Sequence, residues 1–340
     1  MRFLITGHTG FKGAWLIAFL RKLGHEVHGV SLSATKESLF VAANLCNQLR
    51  SDSYIDIRDL ENLKLVFHRV SPDVVIHFAA QSLVPESYIN PLDTHTTNVI
   101  GTINVLECIK DTSSISASLI ITTDKVYKNK GLNYHYSEED ELGGLDPYSA
   151  SKTMADIATQ SWIENFIESP IAVVRAGNVI GGGDCASKRL IPDLVRGYTD
   201  GYRPKLRSIS SIRPWQNVLD CLNGYVMLVD NLITEKKSGI WNFGPEHNQI
   251  KTVGDVVRVF EAEWGLSKYW DLEQTVELNE EQILLVNSTK ARKLLGWTEH
   301  YTFDENVSRT SKWYRDVSKG KSESSALEDE LYYFDSLRAK

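Results

Sequence analysis

Between Arg2 and Arg175, short apolar runs alternate with segments of helical period, and this rhythm narrows the fold more than any single motif. The runs Arg2–Thr6, Glu26–Leu32, Asp73–Ala80 ("DVVIHFAA"), Leu119–Thr123 and Ile171–Arg175 read as strands. Helices are expected over Phe11–Leu23, closed by Gly24, and from a cap at Asp59 to about Val70, stopped by Ser71-Pro72. Two more are expected over Leu92–Lys110 and Tyr148–Glu168. Buried Val/Ile-rich strands, each separated by a helix, imply a parallel sheet covered on both faces. The class is α/β and doubly wound.

Beyond about Gly181 the rhythm loosens and Gly, Pro and Arg become frequent. Shorter helices are expected near Ile191–Gly201, Leu219–Leu232, Val253–Trp264 and Phe303–Val317. The expected division is a first domain over 1–180, with 214–238 returning to it, a smaller C-terminal substrate-binding lobe over 181–213 and 239–318, and a tail or packing helix over 319–340. A length of 340 residues and a hydrophobic fraction of 42% can fill such cores. The net charge of −7 comes from 37 basic and 44 acidic residues without a basic block, so nucleic acid is not an expected partner. Cys46, Cys108, Cys185 and Cys221 lack the spacing of a metal motif, so no metal site is expected, and they read as free thiols of a reducing compartment. "MRFLITG" has no signal-peptide pattern and no run is long enough for a bilayer. A soluble, cytoplasmic protein with no membrane partner is expected.

"ITGHTGFKG" sets Gly7, Gly10 and Gly13 three residues apart between the first strand and the first helix. Glycine permits a tight turn and close backbone approach, and the helix N-terminus then offers N–H groups to a pyrophosphate. This makes the first domain a Rossmann-type dinucleotide site, with Gly7, Thr9, Gly10, Phe11, Lys12 and Gly13 against the cofactor. Asp56 and Ile57 of "YIDIRD" suit an adenine amine and ring, and Phe78, Ala79 and Ala80 end the buried strand beside the same ligand. Asn98, in the helix facing the cofactor, is expected to hold backbone or water there. Ser31–Ser33 contains no acid to grip a ribose 2′-hydroxyl and Lys36 lies nearby, so NAD is the expected cofactor and NADP stays open. His77 reads as a core histidine.

"DPYSASK" places Tyr148 and Lys152 at i, i+4 on one face at a helix start. A nearby ammonium stabilises a phenolate, which can take the proton of a sugar hydroxyl while hydride leaves the carbon. With the glycine loop, this pair resembles the extended branch of the short-chain dehydrogenase/reductase superfamily. The resemblance implies that Thr123 presents its hydroxyl beside Tyr148. Epimerases of the branch follow that residue with small side chains, whereas sugar-nucleotide 4,6-dehydratases follow it with a charged pair, usually Asp-Glu. Here the pair is Asp124-Lys125. Dehydration needs such groups, because oxidation at C4 acidifies the C5 hydrogen. A base must take that hydrogen and an acid must protonate the C6 hydroxyl before hydride returns to C6. Asp124 is the candidate acid. Lys125 is either a neutral base or a charged stabiliser of the enolate.

"TGHTGFKGAWL", "HFAAQSLV", "TTDKVY", "RAGNVIGGGD", "RLIPDLVRG" and "RPWQNVLD" resemble the 4,6-dehydratases of CDP-glucose, and "WNFGP" and "STKARKLLGW" extend the resemblance. Lysine in the acid–base pair belongs to that subgroup's pattern, while Asn217 and Cys185 stand where His and Trp are frequent. The resemblance implies a nucleotide-sugar substrate held by Gln81, Asn178, Arg189, Leu190, Ile191, Arg213 and Gln216. Asn178 and Arg189 suit phosphates, and Arg213 offers a fork that lysine cannot copy. Trp215 either lines the nucleotide pocket or fills core, and Gly181–Gly183 admits a ligand or forms a hinge. A 4-epimerase, or a dehydratase of a UDP-, GDP- or dTDP-sugar, is the rival enzyme. An inactive cofactor-binding sensor is the rival of another class. A homodimer or larger homo-oligomer is expected, paired through the helices Leu92–Lys110 and Tyr148–Glu168, with Ile157 and Trp162 at the interface.

Overall fold

Side chains alternate across each strand, so one short apolar run feeds two cores. Phe3 and Ile5 enter one layer and Leu4 the other. Leu119 and Ile121 likewise face one core and Ile120 its opposite. The structure, a computed structural model, describes residues 1–131, 133–246, 250–273 and 282–339. Its central sheet has seven strands: β1 (Arg2–Thr6), β2 (Glu26–Ser31), β3 (Ser51–Tyr54), β4 (Val74–His77), β5 (Ala117–Ile121), β6 (Ile171–Ala176) and β7 (Gly239–Phe243). All neighbours are parallel, in the order β7-β6-β5-β4-β1-β2-β3.

The main helices of this part are α1 (Phe11–Lys22), α2 (Leu60–Val70), α3 (Gly101–Lys110), α4 (Pro147–Asn165), α5 (Leu190–Asp200) and α6 (Val218–Glu235). Residues of α1 and α6 fill the core on one face of the sheet, and residues of α2, α3 and α4 fill the other. Asp59 caps α2 by accepting from the Asn62 amide, and Ser71 ends it at φ 47°. The helix expected over Leu92–Lys110 is interrupted by a π-helical turn at Thr96–Ile100. The strand expected over Leu119–Thr123 stops at Ile121. Thr122 and Thr123 therefore lie beyond the ladder, where Thr123 caps a short 3₁₀ turn, Asp124–Val126.

The lobe expected from residue 239 loses its first segment to the sheet, because Gly239–Phe243 pairs with β6 as the seventh strand. Trp241 and Phe243 enter the core beside α6, while the polar Asn242 between them is fully buried and hydrogen-bonded. Around the cleft, Lys205–Leu206 pairs with Asp271–Leu272, and Ile212 bridges Thr252 and Ile283. Helices α7 (Val253–Glu263), α8 (Phe303–Ser318) and α9 (Glu323–Arg338) complete the fold. The 319–340 segment thus contains a packed helix, with Phe334 fully buried and Lys340 outside the described residues. Among the described residues no helix is long and apolar enough to cross a membrane.

Candidate active site

The strand order reverses between β1 and β4, and a cleft opens beyond the carboxyl ends of the strands at such a point. It holds a cavity of about 720 Å³, reached by residues that follow β1, β4, β5 and β6. Gly7 turns at φ +74°, and a Cβ there would lie 2.6 Å from the Ala79 amide nitrogen. A Cβ on Gly13 would lie 2.4 Å from the Gly7 carbonyl oxygen. Gly10 caps α1 with no side chain over the first amides, and Phe11, Lys12 and Gly13 of that first turn line the cavity. The turn therefore fits a pyrophosphate held by backbone N–H groups.

Thr9, Phe11 and Lys12 line this end, and Thr9 ties the turn to β2 through a 2.5 Å hydrogen bond with Ser31. Asp56 and Ile57 reach the far wall, with Phe78, Ala79 and Ala80 between. The Asp56 carboxylate accepts from Arg58, which holds it below the usual carboxylate range and also bridges to Asp93. His77 lies behind the wall, fully enclosed, between the hydroxyls of Thr6 (2.6 Å) and Thr102 (3.0 Å). Burial lowers its pKa to about 3, so it is a neutral core histidine.

Two expected contacts do not reach the cavity. Asn98 is fully buried in the π-helical turn, where it binds the Gln81 amide (2.8 Å), the Gln81 carbonyl (3.0 Å) and the Ser151 hydroxyl (2.9 Å). It shapes the loop after β4 and does not line the ligand space. Gln216 is also buried, and donates to the Phe243 carbonyl at 3.0 Å. Its side chain joins the sheet edge, whereas its neighbour Trp215 lines the cavity and packs on the core together.

The reactive groups converge at the end of β5. Thr123 donates to Asp124 Oδ1 at 3.0 Å, and Lys125 Nζ lies 3.6 Å from the same oxygen. Asp124 Oδ2 is buried and has no partner, although its residue lines the cavity. Lys125 keeps a quarter of its side chain exposed. Tyr148 and Lys152 come from the first turns of α4, which Asp146 caps by accepting from the Ser149 amide. Burial raises the Tyr148 phenol to about 12, opposed by a hydrogen bond with Thr123 and by the Arg189 charge. Burial, with Lys12 adding to it, lowers Lys152 to about 7, while Asp156 opposes the shift. Lys152 Nζ donates to the Ile121 carbonyl at 2.9 Å, so the amino group is fixed under the strand end.

On the opposite wall Arg189, Leu190 and Ile191 open α5, again without a side-chain cap over the first amides. Arg189 spans the cleft from Asp184 to Ser82, 3.0 Å to each. Asn178 presents a buried, unpartnered Oδ1, and Gln81 and Arg213 complete this wall. Gly181–Gly183 mainly serves packing, because a Cβ on Gly182 would lie 2.2 Å from the Trp313 ring. Lys205, Arg207 and Ser208 line the same end without having been singled out in the sequence. Pairing of residues 205–206 with 271–272 brings them there, and no local pattern marks it. No cluster of three or more His, Cys, Asp or Glu suited to a metal occurs among the described residues.

A turn that fits a dinucleotide pyrophosphate, facing a hydroxyl, an acid, an amine and a Tyr-Lys pair, defines a class of sugar-nucleotide enzyme. A family model described as GDP-mannose 4,6 dehydratase matches residues 4–310, and the chain belongs to that family. Within this range of relatives it is 40% identical to a CDP-glucose 4,6-dehydratase of Salmonella typhimurium over 94% of this chain and 92% of the relative. It is 29% identical to a probable dTDP-glucose 4,6-dehydratase of Sinorhizobium fredii, over 92% and 93% of the two chains. Among solved structures, a dTDP-glucose 4,6-dehydratase of Bacillus anthracis in complex with NAD superposes with a TM-score of 0.79 at 24% identity, covering 94% of this chain and 98% of that one. A UDP-glucose 4-epimerase of Stenotrophomonas maltophila gives 0.83 at 21% identity, covering 94% and 100%. These two superpositions establish the Rossmann-type fold.

Proposed function

We propose that this protein is a CDP-glucose 4,6-dehydratase that forms CDP-4-keto-6-deoxyglucose with NAD. The observation carrying the reading is the buried, unpartnered Asp124 oxygen beside Lys125, within one cavity with Thr123, Tyr148 and Lys152. The 40% identity to a CDP-glucose enzyme supports the choice of base. Gly7, Gly10 and Gly13 would hold the cofactor pyrophosphate, with Thr9, Phe11, Lys12, Asp56 and Ile57 along it. When bound, NAD supplies a positive ring that favours the phenolate, and a hydride acceptor for C4 that later serves C6.

Thr123 binds the 4-hydroxyl and Tyr148 takes its proton, with the Lys152 ammonium stabilising the phenolate. The C4 ketone acidifies C5. Lys125 takes the C5 proton when neutral; when charged it stabilises the enolate, and the ionised Asp124 takes that proton and passes it to the C6 hydroxyl. Asp124 delivers a proton from Oδ2 to the departing C6 hydroxyl. Arg189, Arg213, Asn178 and the α5 amides hold the phosphates. Together these side chains shape a site for a dianionic nucleotide sugar.

The test is a mass spectrum of product after incubation with CDP-glucose in heavy water. Loss of one water with one deuterium gained at C5 is the expected result. Unchanged CDP-glucose, with a UDP-, GDP- or dTDP-sugar dehydrated instead, would overturn the choice of base. A cytoplasmic homodimer completes the proposal. Leu92, Ile100, Met154 and Ile157 stand exposed on helical segments that pack together, and light scattering should return twice the chain mass.

A further inference from the structure

A carboxylate and a guanidinium with side chains 0% and 1% exposed lie just behind the reactive cluster. Asp156 sits on α4 one turn beyond Lys152 and two beyond Tyr148, on the same helix face. Arg175 of β6 grips it with two forked bonds, Nε to Oδ2 and Nη2 to Oδ1, both 2.8 Å. Neither residue lines the cavity, so substrate contact does not explain the pair. Burying two charges costs several kcal/mol per ion unless geometry repays it, roughly, and gives no stability by right.

The pair's other partners show what it joins. Asp156 Oδ2 also accepts from Thr122, the residue before Thr123, at 3.1 Å. Arg175 Nη1 donates to the Tyr127 hydroxyl at 3.1 Å. Tyr127 directly follows the turn that carries Asp124 and Lys125, and its own hydroxyl donates to Asn242 of β7 at 2.7 Å. One buried network thus reaches the Tyr-Lys helix, the Thr123 strand end, the Asp-Lys turn and the edge strand.

We infer that Asp156, Arg175 and Tyr127 form a positioning unit that locks the Tyr148–Lys152 helix to the Thr123–Asp124–Lys125 turn, with the Asp156 carboxylate set one helical turn behind Lys152. The unit rests on the dehydratase reading above, because it matters only if both halves act on one sugar. Around Lys152 and Asp156 the charged and titratable groups are Lys12 from α1, His77 from β4, Asp124 beyond β5, Tyr148 from the same helix, and Arg175 from β6, which binds both Asp156 oxygens and would be left an unopposed cation in Asp156→Asn. His77 is neutral, Lys12 disfavours the ammonium, and Asp156 opposes Lys12 from the buried side. Removing the Asp156 charge therefore shifts Lys152 toward the neutral amine at a lower pH.

The experiment compares the full-length protein with Asp156→Asn and Tyr127→Phe. Dehydration rate is followed against pH, and CDP binding is measured by calorimetry. Asp156→Asn should bind CDP within about threefold of wild type, lose about tenfold or more in kcat, and move the alkaline limb of kcat to lower pH. Tyr127→Phe should slow water loss at least about threefold while leaving that limb in place. An unmoved limb in Asp156→Asn, or loss of CDP binding in step with kcat, overturns the charge assignment. If Asp156→Asn does not fold, wild-type dehydration by Tyr127→Phe overturns the unit. Should the wild type dehydrate another nucleotide sugar and not CDP-glucose, the same comparison is run with that sugar, and only the choice of base falls. No dehydration of any nucleotide sugar by the wild type removes the dehydratase reading and this unit with it.

Discussion

At the scale of single residues, Lys125 and Tyr148 separate two steps of one reaction. Lys125→Ala should still oxidise C4, seen as absorbance of reduced cofactor, while water loss slows by about a hundredfold or more. Full dehydration by that variant would show that Lys125 has no part in it. Tyr148→Phe should abolish cofactor reduction itself, and wild-type reduction there would remove Tyr148 from the first step. His77 gives a pH signature of a different kind. The folded side chain takes its proton near pH 3, whereas the unfolded one takes it near the ordinary value of 6.5. Between these limits the unfolded chain binds more protons, so stability is full above 6.5 and is lost as pH falls toward 3. Replacing His77 by Gln should flatten that loss in urea titrations at stepped pH, and an unchanged slope would show that another group drives it.

At the scale of elements, most of the first half was legible because its strands and helices follow their own period; the edge strand β3 was missed because Ser51–Tyr54 is polar and carries no apolar run. The glycine turn needs only Gly7, Gly10, Gly13 and their neighbours, so local spacing reveals it. Tyr148, Lys152 and Thr123 were legible through a family pattern, and their convergence comes from the strand order. Asn98 does hold backbone, at Gln81, but it sits in a π-helical turn that periodicity does not mark, and it does not line the cavity. Its three partners are backbone and hydroxyl groups distant in sequence. Asn98→Ala would strip the partly buried Gln81 amide and carbonyl of this partner, at about 1–3 kcal/mol for a group left unpaired, while Ser151 keeps its bond to the Tyr148 carbonyl. The expected outcome is a clear drop in Tm, and a Tm within about one degree of wild type would mean that water replaces the amide. Strand β7 was missed for a related reason, since Gly239 and Asn242 dilute its apolar signal and only pairing with β6 defines it.

At the scale of the whole molecule, the C-terminal helix shows how a distant segment supports the cleft without entering it. Helix α9 places Phe334 against Phe19 of α1, ring centroids 6.0 Å apart, and against Tyr301. Lys22 of α1 pairs with Asp335 at 2.9 Å, and Arg309 of α8 pairs with Glu330. The helix thus covers the far half of α1, whose opposite end forms the glycine turn. No residue of α9 lines the cavity. Deleting residues 319–340 would bare Phe19 and its neighbours, a loss of about 5 kcal/mol or more on the scale of buried aromatic and leucine truncations. Tm should fall by at least about 5 °C. Ligand binding obeys a separate linkage, in which CDP at a fixed concentration stabilises the folded state by an amount set by the ratio of that concentration to its Kd. Because α9 touches no ligand-facing residue, the CDP-induced rise in stability should be the same in the full and shortened chains. A shortened chain that folds but no longer responds to CDP would instead show that α9 fixes the ligand-binding geometry through α1.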